Sequence, residues 1–255
     1  MFTKLKQHRF LFSELVKRDF KKKYKRTYLG MLWSLISPLL SLLVMTLVFK
    51  NLLGSNIDHY ITYVFCGNII FSFFNDASNG GMSALLINSH IFSKINVPKY
   101  LFLFSRIISS VINFGLTLIV FFVFCIIDGI TFSWAYFSLI IPIVCLIVFN
   151  VGIGLILSAL YMFFRDMQYL WSVFTMLLMY VSAIFYDIER FSESVRKLFL
   201  LNPLYVYISY FREAVIRGSF PSLELNALAI GYALIAFGIG AFIYKKFNHK
   251  FLYYV

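Results

Sequence analysis

Few residues in this chain could do chemistry, and they are scattered. The histidines His8, His59, His90 and His249 share no metal-ligand spacing, and no metal site is expected. Asp187 and Glu189 form one acidic pair, able in principle to hold a cation or to act as acid and base. At the edge of an apolar run, a hydrated pair is the plainer reading. Asp76 is the one carboxylate placed inside an apolar segment, where carboxylates usually face a cavity or a partner. It is read here as lining the mouth of a helix bundle, with an interfacial position as the alternative. Cys66, Cys125 and Cys145 lie in apolar runs without a CxxC pair, as small hydrophobes would. No Gly-Lys dipeptide occurs, so the chain lacks the loop that cradles nucleotide phosphates. No catalytic constellation emerges, and no cofactor is expected on this chain.

The elements that must position these residues are apolar. Of 255 residues, 61% are hydrophobic and 13% charged, against about 25% charged in soluble domains. The net charge of +12 does not point to nucleic acid, because the cations cluster at the ends of apolar runs, where they meet anionic headgroups. The dense block Lys21–Arg26 runs straight into an uncharged stretch, Thr27–Phe49. As a helix that stretch is roughly 34 Å long, enough for a hydrocarbon core of about 30 Å.

Six spans are predicted: about Leu32–Leu52, Tyr60 to past Phe74, Leu101–Ile127, one within Gly129–Phe164, Met167–Tyr186 and Leu225–Tyr244. In the fourth, Trp134 and Tyr136 are placed at the interface and Pro142 as a kink. Trp33 and Trp171 are read with them as an aromatic belt. With the N-terminus in the cytoplasm, 17 of the 23 Lys/Arg fall inside, so both termini are placed there. Residues 1–28 are read as a cytoplasmic amphipathic interface helix with Phe12, Leu15, Val16 and Phe20 on its apolar stripe. Residues 29–255 are the transmembrane domain. Its segment at about 188–220 is broken at Asn202-Pro203 into pieces too short to span, and reads as re-entrant. The expected fold class is an all-α polytopic membrane protein. Small residues Gly152 and Gly154 in the fourth span, and Ala227, Gly231 and Gly238 in the sixth, suit close helix contact within one chain or across a dimer.

Four stretches carry a family resemblance: Tyr24–Pro38 (YKRTYLGMLWSLISP), Leu86–Pro98 (LINSHIFSKINVP), Arg165-Asp166, and Asn202-Pro203-Leu204 followed by Arg212. In this order they resemble the membrane-spanning subunit of ABC transporters that export polysaccharide: O-antigen, teichoic acid and capsule exporters of the type-2 fold. Where that family usually has Ser-Pro-Ile near the end of span five, this chain has Ser182-Ala183-Ile184, so the kink-forming proline is missing. The resemblance implies a homodimer in the bacterial cytoplasmic membrane, with two copies of a separate ATP-binding subunit that holds ATP and Mg. The implied substrate is an undecaprenyl-pyrophosphate-linked glycan. Candidate substrate-path residues are then Lys22, Lys25, Arg26, Trp33, Asp76, Lys94 and Arg212. Candidate ATPase-docking residues are Phe12, Leu15, Val16, Phe20, Ile91, Phe92, Lys94 and Pro98. Two rivals remain: the same architecture exporting a drug, peptide or lipid, and a membrane enzyme acting on lipid-linked sugars through Asp187 and Glu189.

Overall fold

The computed structural model describes residues 8–24, 28–53, 57 and 59–254. Among them there are helices and no strands. Lys25 and Arg26 lie outside the described residues. Helix α1 is Arg9–Tyr24, and a 3-10 turn, Gly30–Leu32, leads into α2, Trp33–Leu53. The long helix α3, Tyr60–Ile87, is followed by a single turn, α4, Ser89–Phe92. Then come α5, Tyr100–Ile127, and α6, Ile140–Phe163, the latter entered through a 3-10 turn at Trp134–Leu139. Helices α7 (Met167–Val181), α8 (Glu193–Phe199), α9 (Pro203–Val215) and α10 (Leu223–Phe247) complete the bundle, and a 3-10 turn at Lys250–Tyr254 follows.

Among the described residues, three stretches are long and apolar enough to cross a membrane: α5, Trp134–Phe163 and α10. Trp33–Val44 and α7 are shorter apolar helices. Helix α3 is the central post. Val64, Phe65, Cys66, Ile70 and Ala77 are fully buried along it, and it packs against α2, α5, α6 and α9. The broadest pairing is α6 with α10, and glycine makes it possible. A Cβ added at Gly152 would land on the backbone of Ala236 and Phe237, and one at Gly240 on Gly152. Gly81 and Gly154 bring α3 and α6 together in the same way, a Cβ on the first lying 3.1 Å from the second's Cα. Gly231 and Gly238, expected at a helix contact, meet nothing within 4 Å in this chain.

Pro142 sits in the first turn of α6, directly after the 3-10 turn, where a proline is best tolerated. Two local expectations change. Trp171 is not a belt residue. It is buried and donates Nε1–H to Ser78 Oγ at 3.2 Å. The fifth apolar helix stops at Val181 rather than Tyr186, and Ala183 takes a φ of 50°. The break therefore forms without a proline.

Asn202-Pro203 does start an element, and the physics is local. Asn202 caps α9 by accepting from the Leu204 amide at 3.0 Å, and Pro203 occupies the first helical position. Thirteen residues give α9 about 20 Å of length, and ten of them are buried.

Candidate functional site

Polar side chains at helical spacing inside apolar helices are the raw material of the site. On α2, Ser34, Ser37 and Ser41 share a face. On α3, Asn68, Ser72 and Asp76 do so, and on α5, Ser110, Asn113 and Thr117. The three stripes converge on one cleft of about 440 Å³ between these helices, within the roughly 300–1,000 Å³ of small-molecule sites. Its apolar wall is Trp33, Phe65, Ile69, Phe73 and Phe114. Phe73 and Phe114 stack with ring centroids 4.4 Å apart, which stiffens the α3–α5 side.

The hydroxyls on α3 and α5 point their protons back at their own helices. Ser72 Oγ donates to Asn68 Oδ1 at 3.3 Å, Ser110 Oγ to the Arg106 carbonyl at 3.4 Å, and Thr117 Oγ1 to the Asn113 carbonyl at 3.1 Å. Their oxygens keep lone pairs for a guest. On α2, Pro38 lines the cleft one turn above Ser34. Asp76 is the one ionisable side chain among the described residues lining this cleft. Arg106 Nη2 approaches its carboxylate at 4.0 Å from outside the lining. Gly80 leaves the room Arg106 needs, since a Cβ there would sit 2.6 Å from Arg106 Nε.

A second cavity, of about 860 Å³, lies at the α9 end, lined by Tyr63, Asp187, Glu189, Arg212, Glu213 and Arg217 among others. Its charges are largely paired: Arg217 bridges Glu189 at 2.7 Å and Glu213 at 3.2 Å. Asp187 caps the short turn after α7 by accepting from the Glu189 amide at 3.0 Å. Arg212 is buried here. It donates to the carbonyls of Ala183 and Ile184 at 2.9 Å each, and to that of Tyr63 at 3.2 and 3.3 Å. Tyr60 and Tyr63 hydroxyls donate to the next two carbonyls, Phe185 and Tyr186, at 3.0 and 2.9 Å. Four consecutive carbonyls of a non-helical turn are thus satisfied by side chains of α3 and α9, which a buried turn requires.

At the opposite end, α1 is bolted to the bundle. Asp19, 7% exposed, accepts from Ser105 Oγ at 3.1 Å and from Arg18 at 2.7 Å. Arg18 also donates to Asn88 Oδ1 at 2.8 Å. Lys99 donates to the Asn248 carbonyl at 2.6 Å, and partial burial lowers its pKa. Leu15, Phe92, Phe102, Tyr244 and Phe251 form one buried cluster there.

The structure thus gathers Trp33 and Asp76 in one cleft and sends Arg212 to the other end. Lys22 and Lys94 are exposed at the α1 end. Of the docking candidates, Leu15 and Phe92 are buried in the chain's own core, while Phe12, Val16, Phe20, Ile91 and Pro98 are half-buried. Sequence reading missed the serine, asparagine and threonine stripes. The signal was present as an i, i+3/i+4, i+7 polar period inside apolar helices.

A family comparison decides the class. Residues 11–216 match the ABC-2 type transporter family of membrane proteins. The chain belongs to that family. This ABC-2 family chain is therefore a multi-pass membrane protein and a transporter subunit rather than a separate enzyme. Two proteins of Klebsiella pneumoniae, each named O-antigen export system permease protein RfbA, are similar along nearly their whole length. One is 26% identical over 251 residues and the other 27% over 250, covering 95% of each chain. A protein of the same name from Myxococcus xanthus is 31% identical over 114 residues, 45% of this chain and 44% of that protein.

Proposed function

We propose that this ABC-2 family chain is the permease of an ATP-driven exporter that moves an O-antigen-like, lipid-linked polysaccharide across the bacterial cytoplasmic membrane. The carrying observation is the end-to-end similarity to two O-antigen export permeases. The cleft adds support, because nine hydroxyl, amide or carboxylate side chains among its lining suit a hydrophilic cargo better than a drug or simple lipid.

In this reading the bundle has six spans with both termini in the cytoplasm. Helices α2, α3, α5, α6, α7 and α10 cross, α9 is the re-entrant segment of the outer half, and α1 is the interface helix. ATP and Mg are held by a separate subunit, two copies of which dock on a homodimer of this chain. The exposed Lys22 and Lys94 support that arrangement as a basic inner face. The links Arg18–Asn88 and Asp19–Ser105 give motion of α1 a rigid route into α3 and α5.

Deleting the gene and staining for surface polysaccharide tests the cargo. Normal surface glycan in the deletion strain would sink the reading. Affinity purification from native membranes tests the motor: an ATPase should come down in equal amount, and its absence would remove the ATP-driven step.

A further inference from the structure

We infer that the outer leaflet is thinned beside α7 and α8. Lipid headgroups and water descend there by about 10 Å to meet α8 as an amphipathic surface helix, while the bilayer keeps its full height beside α10. This rests on the six-span reading above and adds how the bundle meets its lipid.

The first argument is length. Helix α7 has 15 residues and α10 has 25, which gives about 22 Å and about 37 Å. The second covers a hydrocarbon core of about 30 Å and the first does not. Their inner ends share a level. Arg165 and Asp166 are exposed just before α7, and Lys245 and Lys246 are exposed in the last turn of α10. Arg165 also donates to the Tyr254 carbonyl at 3.2 Å, beyond the end of α10. Helix α7 therefore ends below the outer interface, and any tilt lowers its end further. The apolar residues that follow add no lipid-facing height, since Ala183, Ile184 and Phe185 are buried within the chain.

The second argument is the depth of the break, read from a separate set of bonds. Tyr232 donates to the Leu200 carbonyl at 2.7 Å, Tyr207 to that of Ala229 at 3.0 Å, and Tyr210 to Asn226 Oδ1 at 2.9 Å. Helix α9 thus climbs antiparallel to α10, with Asn202 at its deep end. At its outer end Tyr136 donates to the Val215 carbonyl at 3.3 Å and Ser133 to that of Gly218 at 3.0 Å. The exposed Trp134 and Phe220 mark the interface there. Asn202 Nδ2 donates to Ser182 Oγ at 2.9 Å, so α7 ends at the deep level too. On α10, about 14 Å of helix separates Tyr232 from Leu223. The tyrosine side chain leans towards the helix start and takes up part of that, which leaves about 10 Å.

The third argument is the chemistry of α8, which leads down into this level. At about 100° per residue, Val195 and Leu198 share one side, and Glu193, Arg196 and Lys197 share the other. All five are exposed, and Lys197 bridges Glu193 at 2.9 Å. A helix carrying both signs of charge is costly in hydrocarbon, whereas one with an apolar and a charged side lies at the headgroup boundary. Val195 and Leu198 by themselves offer far less area than the roughly 800 Å² per partner of a stable protein interface. Lipid is the occupant that fits. The adjoining cavity carries Asp187, Glu189, Arg196 and Arg217, which also need water within reach.

The test uses the full chain in lipid nanodiscs, with Cys66→Ala, Cys125→Ala and Cys145→Ala as background. A bimane fluorophore is attached in turn at Leu198→Cys on α8, at Leu223→Cys on the outer end of α10, and at Leu234→Cys, exposed on α10 near the level of Tyr232. Quenching is compared between a lipid with its nitroxide on the headgroup and one with its nitroxide deep in the acyl chain. At Leu198 the headgroup nitroxide should quench at least about twofold more strongly, as at Leu223, and at Leu234 the order should reverse. Should Leu198→Cys fail to fold, Leu201→Cys, also exposed, takes its place. Should the cysteine-free chain fail, the native thiols stay and the chain without an added cysteine supplies the background.

Stronger quenching of Leu198 from the acyl chain overturns the inference, because the leaflet is then at full height beside α8. Quenching by neither lipid also overturns it, because a second copy then covers α8. In both cases Leu234 quenched from the acyl chain leaves the six-span reading standing. If the headgroup nitroxide quenches Leu234 best, α10 does not cross as read, and the six-span reading falls together with this inference.

Discussion

The Arg212 guanidinium lies 3.3 Å from the centroid of the Tyr63 ring while bonding the Tyr63 carbonyl. One residue of α9 thus grips one residue of α3 by both its ring and its backbone. The same guanidinium reaches the Ala183 and Ile184 carbonyls. Its charge is balanced by carbonyl dipoles and an aromatic face, with no carboxylate among the described residues bonded to it. The break after α7 depends on this grip.

Arg212→Lys should therefore behave as a severe change despite keeping the charge. A single ammonium cannot serve three carbonyls and stack on a ring. With carbonyls left unsatisfied, the loss should be about 3 kcal/mol. Thermal unfolding of the purified chain checks this, and an unshifted midpoint would show that the clasp is dispensable.

Glycine should matter only where backbones touch. Gly152→Ala would push α6 from α10 and should cost about 1–3 kcal/mol. Gly238→Ala meets open space and should instead gain roughly 0.5–1 kcal/mol from helix propensity. Comparing the two melting midpoints in one detergent decides it, and equal effects would contradict the packing described.

Asn150 is fully buried in α6, and neither of its amide atoms has a partner among the described residues. Asn150→Leu keeps the size and removes the unsatisfied groups. Stability should rise by about 1–3 kcal/mol. A fall would mean that the amide bonds to something within the folded bundle, such as a trapped water.

Asp19→Ala should free α1 without unfolding the rest. It removes the acceptor for Ser105 and for Arg18. Limited trypsin digestion of inside-out vesicles should then cut at Arg18 several-fold faster, while fragments containing α3 to α10 stay intact. Unchanged cleavage would mean that Leu15 and the Arg18–Asn88 bond hold the helix without Asp19.

Much of this was legible in the sequence, for reasons tied to particular residues. The charge step from Lys21 into Thr27–Phe49 marked the membrane boundary because lipid tolerates no cation there. Asn202-Pro203 marked the start of α9 because the pair is both a cap and a first-turn residue. The end of α7 was not legible. Ser182 and Ala183 carry no local breaking signal, and the turn is imposed by Arg212 and Tyr60, distant in sequence. The cleft was partly legible. Asp76 and Trp33 stood out by type, whereas serines in apolar helices usually bond their own backbone, so a stripe of them is seen only when three helices meet. The α1 stripe reads as a docking surface from its period alone, and what the period does not show is that Leu15 packs into the chain's own core, with Asp19 buried one turn on.

The cluster at the α1 end joins Leu15 of the first helix to Phe251 in the turn that follows the last. Phe251 is completely buried, so this core is unfinished while the final turn is still in the ribosome or the insertion machinery. Until that moment α1 has only part of its seat. A bulky insertion placed just after Tyr254 would crowd the step that completes the seat, and a flexible linker on either side of it would relieve it.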